Sequence, residues 1–201
     1  MGFVNKYILH YLTVVMLLFS FASCQKEQEK PRTEIEERLF NLEQSGWKSR
    51  SISHFFSDIE YNATLVPIQY YILKNEGSQD LNSVDSIYQE YKNERVVEVK
   101  FQQEKEDDLL KDMYTNRSYE DAVKYMAFTI QKDFKAVTQS GDTIACAGVT
   151  FERNFKVAPF KRLLINFGGI PENETIQLIY DDQLFGNGLM KFNFKERPIQ
   201  L

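Results

Sequence analysis

The second half of the chain carries a hydrophobic period of two that only strands produce. Leu163, Ile165 and Phe167 alternate with Arg162 and Asn166. Ile176, Leu178 and Tyr180 alternate with Thr175 and Gln177, and Met190, Phe192 and Phe194 with Lys191, Asn193 and Lys195. Upstream, Phe128, Ile130, Phe134 and Ala136 share one parity and predict a long strand from Met126 to about Thr138. Ser140-Gly141-Asp142 is turn chemistry, and Ile144 to Phe151 reads as the return strand of a hairpin. Connections this short suit antiparallel neighbours, since parallel pairs need crossovers of about a dozen residues or more. The expected class is therefore α+β: short N-terminal helices and one or two strands, then an antiparallel sheet or β-sandwich formed mainly by residues 124–195.

The first half supplies the helices. Thr33 and Glu36 form a capping-box pattern, with Ile35, Leu39 and Leu42 at helical spacing before Gly46. Leu81, Val84, Ile87, Tyr88 and Tyr91 recur at steps of three and four, which places them on one helix face. Val97, Val99 and Phe101 alternate with Glu98, Lys100 and Gln102 as in a half-buried strand. Around Pro67 two patterns compete. Thr64, Val66, Ile68, Tyr70 and Ile72 alternate like a strand, whereas Pro67 is equally suited to open a helix; the reading favours a strand after Pro67. Glu104 to Asp112 reads as a short helix or an ordered loop.

Ahead of all this, Lys6 precedes an apolar stretch from Ile8 to Phe21, then small Ala22 and Ser23, then Cys24 and the polar run Gln25 to Lys30. The segment resembles the signal of a bacterial lipoprotein, with Phe21 where that family usually has an aliphatic residue. The resemblance covers the first 24 residues. It implies that residues 1–23 are removed, that Cys24 becomes the acylated N-terminus, and that the protein is lipid-anchored in the bacterial envelope, most naturally at the outer membrane. The competing reading is an ordinary signal-peptide cut after Ala22. A membrane-spanning helix fits less well, because the apolar core is shorter than the roughly 18 residues a span needs. Residues 24–32 read as a charged tether, and its eight residues after the cysteine reach at most about 28 Å. Residues 33–201 read as one globular domain.

The net charge is −5, one unit more negative once Lys6 is lost, which argues against nucleic acid as a partner. With Cys24 acylated, Cys146 has no partner for an internal disulfide. His54 is the one histidine beyond the signal, so neither a histidine-rich metal site nor a choice of catalytic bases is available. There is no nucleophile elbow, P-loop or dinucleotide fingerprint. No cofactor and no metal are expected. A calcium loop at Asp181, Asp182 and Asn187 lacks the alternating oxygen ligands of an EF-hand, and adjacent acids on a strand point to opposite faces.

Two stretches stand out as candidate interaction sites. Arg153, Lys156, Lys161 and Arg162 surround Phe155 and Phe160 and form a local basic patch. Leu184 and Phe185 place two large apolar residues in the connection from Asp181 to Gly188, where they either fold back on the sheet or wait for a partner. The functional expectation is a non-enzymatic envelope lipoprotein, held to the membrane by its N-terminal lipid, that binds another envelope protein or helps an assembly. The alternatives are a carbohydrate-binding module, which would use exposed tyrosines among Tyr70, Tyr71, Tyr88 and Tyr91, and a carboxylate-dependent hydrolase, which needs two carboxylates across a cleft.

Overall fold

Thr33 caps helix α1 (Glu34–Gln44) through both halves of the capping box: its hydroxyl accepts from the Glu36 amide, and the Glu36 carboxylate accepts from the Thr33 amide. The computed structural model describes residues 33–75, 80–105, 107–153 and 159–197. Gly46 ends the first helical segment with φ of 78°, a conformation that only glycine adopts without strain, and a single 3₁₀ turn (Trp47–Ser49) follows. Strands β1 (Ile52–Phe56) and β2 (Ile59–Val66) then form a hairpin closed by Ser57 and Asp58, both at positive φ as a two-residue turn of this kind requires.

Past Pro67 the chain is helical, so the strand expected there is corrected to α2 (Ile68–Asn75). Proline has no amide to leave unpaired in a first turn and its fixed φ suits a helix start. The Tyr70 amide closes that turn on the Pro67 carbonyl at 2.9 Å. Ile72 and Leu73, adjacent in sequence, are both buried, which a strand with one covered face does not allow. Helix α3 (Leu81–Tyr91), capped by Asp80, and strand β3 (Arg95–Gln103) occupy the segments that their periodicities predict. A loop and the short helix α4 (Asp112–Thr115) come next.

The long strand expected from Met126 is also corrected. Ser118 caps α5 (Tyr119–Lys124), which continues as a π-helical turn (Tyr125–Thr129) and a 3₁₀ turn (Ile130–Asp133), and only Phe134–Thr138 is strand, β4. Ala122, Met126 and Ile130, four residues apart, are fully buried, whereas Phe128 is 76% exposed. Helical spacing wins because it buries three side chains on one face. The expected return strand from Ile144 breaks in two: β5 (Thr143–Ala145) pairs with β4, and β6 (Gly148–Glu152) pairs with β7 (Phe160–Phe167) in a different sheet. Cys146 and Ala147 form the corner where the chain changes sheet, as in other orthogonal or sandwich packings. Strands β8 (Ile176–Asp182) and β9 (Gly188–Phe194) complete the described elements.

The result is α+β. Among the described residues, nine strands form two antiparallel sheets, of order β1-β2-β3-β7-β6 and β5-β4-β8-β9. Three of the five strands of the first sheet come from the N-terminal half. The sheets pack face to face through Tyr61, Val99, Phe101, Leu163 and Ile165 on one side and Phe134, Leu178, Tyr180 and Phe192 on the other. A second, smaller core lies on the outside of the first sheet, where Ile35, Leu42, Trp47, Ile72, Leu73 and Val84 from the helical segments cover Val66 and Val96. Helices therefore roof one end of that outer face. Among the described residues no helix is long and apolar enough to cross a membrane.

Candidate functional site

Alternation along β2, β3, β7 and β6 sends every second side chain outward, and register aligns them in rows. Beneath the helices the row is Val66, Val96 and Asn166. One step out it is Thr64, Glu98, Leu164 and Thr150, and the next is Asn62, Lys100, Arg162 and Glu152. The face thus grades from apolar under the helices to charged beyond them. Arg162 is held by Glu152 at 2.6 Å and by Glu98 at 3.4 Å, and Lys100 approaches Glu98 at 3.8 Å. Both cations lie over the Phe160 ring, each 5.6 Å from its centre.

At the boundary between roof and bare sheet lies an open groove of about 340 Å³. Tyr71 from α2 and Tyr91 from α3 form one wall, and Leu164 and Thr150 of the sheet form the floor. Burial raises the Tyr71 hydroxyl above its ordinary pKa, and the Glu98 and Glu152 charges push it further. It stays protonated and can donate at any physiological pH. Tyr91 is 38% exposed at the rim.

Among the described residues, the basic patch expected from sequence does not assemble. Strand β7 sends Lys161 into the protein and Arg162 out of it: Lys161 is buried and paired with Asp108 at 3.0 Å, while Arg162 sits between two carboxylates. Arg153 is exposed, and Lys156 and Phe155 lie outside the described residues. Of the two readings for the connection after Asp181, Leu184 follows the first and folds back into the core, at 2% exposure, and Phe185 packs at 6.3 Å from the Tyr61 ring and 5.9 Å from that of Phe101. A Leu and a Phe in a short connection gain more from the adjacent core than from water. Cys24 lies outside the described residues.

The acids that sequence reading considered for calcium have a structural use. Asp181 is exposed and Asp182 is 2% exposed, on opposite faces as strand geometry demands. The Asp182 carboxylate accepts from the hydroxyls of Tyr61 at 2.7 Å and Tyr180 at 2.8 Å, and from the amides of Leu184, Phe185 and Asn187. These donors pin the connection to the core. His54 packs edge-on against Phe192 at 4.8 Å, and its Nε2 donates to the Lys191 carbonyl at 2.9 Å, tying β1 to β9. Cys146 is half-buried with its thiol pushed up by burial, so it is a poor nucleophile.

Sequence reasoning missed a further titratable group. The Asp133 carboxyl is raised to about 6, chiefly by burial, with the Tyr125 hydroxyl, donating at 2.8 Å, and Arg117 opposing the rise and the Asp181 and Asp182 charges adding to it. Arg117 also stacks over the Tyr125 ring at 4.4 Å. The cluster is brought together by the π-helical turn, for which the sequence carries no period of its own.

No family model matches the chain, and no curated protein matches it. Among solved structures, it is similar to a DUF4426 family protein from Pseudomonas aeruginosa PAO1, at 13% identity and a TM-score of 0.38 over 76% of this chain and 98% of that one. It is also similar to a protein of unknown function from Burkholderia pseudomallei K96243, at 9% identity and a TM-score of 0.35 over 80% of this chain and 86% of that one.

Proposed function

We propose that this chain is a lipid-anchored envelope protein that binds another protein, without catalysis, through the outer face of its five-stranded sheet. The observation that carries the reading is the groove between the helical roof and the bare sheet. There, Tyr71 and Tyr91 flank apolar Leu164, and the Glu98, Arg162 and Glu152 group lies alongside. Aromatic anchors beside an apolar floor with charges at the rim are the composition of protein interfaces. The anchor rests on the sequence alone, on Cys24 and the segment before it.

The alternatives draw less support from the same geometry. Glu98 and Glu152 converge on one guanidinium instead of facing each other across a cleft, which leaves neither in the arrangement of a glycosidase pair. The Tyr70 and Tyr71 rings stand at 74° and those of Trp47 and Tyr70 at 59°, and the Tyr88 hydroxyl donates to Glu172, so these rings form no flat platform for a sugar. In-cell crosslinking of the full-length protein followed by mass spectrometry tests the proposal. A reproducible protein adduct mapping to α2, α3, β6 or β7 supports it. Adducts spread evenly over the surface, or none above background, count against it.

A further inference from the structure

A second cavity lies away from the groove, at the corner where the end of β2 meets the end of β9. It holds about 190 Å³ and is lined by Trp47, Ile52, Leu65 and Phe194, with Lys195 and Arg197 among the cations at its edge. A dry apolar cavity of about 150 Å³ is large enough to admit benzene, so this one takes a compact group of about six carbons.

Trp47, in the cavity wall, is 5% exposed. Charge makes the cavity more than a packing gap. Arg50 is paired with Glu196, but among the described residues no ion pair holds Lys195 or Arg197, and both are exposed at the lining. The local excess is positive on a chain whose net charge is −5.

We propose that this cavity binds a small amphipathic anion: a carboxylate on a compact apolar body, its oxygens facing the cations at the edge while its carbons fill the apolar space. Recognition has the usual form of a small-molecule site, an apolar enclosure with a few polar groups that orient the ligand. The proposal stands independently of protein binding at the groove, since the two sites share no lining residue.

Trp47 is the one tryptophan of the chain, so its fluorescence reports on this cavity directly. Full-length protein extracted in mild detergent is titrated with hexanoate and, in parallel, with neutral hexanamide at constant ionic strength. The expected result is a saturable change in emission with hexanoate and half-saturation about tenfold weaker or worse with hexanamide. Lys195→Gln combined with Arg197→Gln, at two exposed positions, is expected to leave the melting temperature unchanged and to weaken hexanoate about tenfold. A strictly linear response to hexanoate overturns the proposal, and so does equal binding of acid and amide. So does hexanoate binding that is indifferent to removal of the two cations.

Discussion

The Tyr61 hydroxyl donates to the Asp182 carboxylate at 2.7 Å across the middle of the sandwich, joining residues 121 positions apart and on different sheets. Burying a carboxylate is tolerable only when its oxygens are satisfied, and here two tyrosines and three backbone amides do so. Tyr61→Phe removes one charge-assisted bond and strands the Asn187 side-chain amide that donates to the same hydroxyl. The expected loss is about 1.5–3 kcal/mol, measured by urea unfolding. An unchanged midpoint would show that this bond between the two sheets adds nothing to stability.

A contrast between two apolar residues follows from the same core. Leu184→Ala is expected to destabilise by about 2–5 kcal/mol, because the side chain is fully enclosed, whereas Phe128→Ala, at an exposed position, should change stability by no more than about 0.5 kcal/mol. Thermal unfolding of the two variants checks this. The reverse order of effects would restore the long strand through Phe128 that alternation alone suggests.

Those two residues also mark where sequence stops being legible. Strands β3, β7, β8 and β9 could be read because each has one face on the core, so that period two is written directly into residue type. Alternation misleads at Met126 to Ile130, where Ala122, Met126 and Ile130 also satisfy a helical period and tertiary packing decides between the two. It misleads again at Cys146, because no local pattern says that one run of residues will serve two sheets. Of the candidate site residues, Arg162 reaches the outer face and Lys161 does not, a parity that strand geometry fixes once β7 is recognised. The groove itself was illegible. Tyr71, Tyr91 and Leu164 come from three separate elements, and only the fold brings them together.

Asp133 gives the protein a specific pH dependence. Its folded pKa, about 6, is above the ordinary carboxylate value of 3.8, so between those values the folded state holds more protons than the unfolded chain. Stability from this group is therefore greatest below about pH 4 and is lost as pH rises towards and through 6. The groups facing it are Tyr125, Arg117, Asp181 and Asp182. Asp133→Asn should match the wild type near pH 4 and melt at a higher temperature at pH 7. A difference that is constant with pH would contradict the assignment.

The membrane anchor has its own test. Cells fed a fatty-acid analogue should label the protein, and Cys24→Ala should abolish both the label and normal processing, as expected if the residue after Ser23 is the acylated N-terminus. A mature N-terminus at Ser23 would instead indicate an ordinary signal peptide.

The most direct test of the central claim is site-specific photocrosslinking in living cells. A photoreactive residue replaces Tyr91 at the groove in one strain and Thr143 on β5, an exposed position in the other sheet, in a second. Binding through the outer face of the five-stranded sheet predicts a discrete protein adduct from position 91 and none from position 143, with Leu164→Glu abolishing the adduct while the protein remains folded. Equal adducts from both positions, or an adduct from position 143 alone, would contradict it.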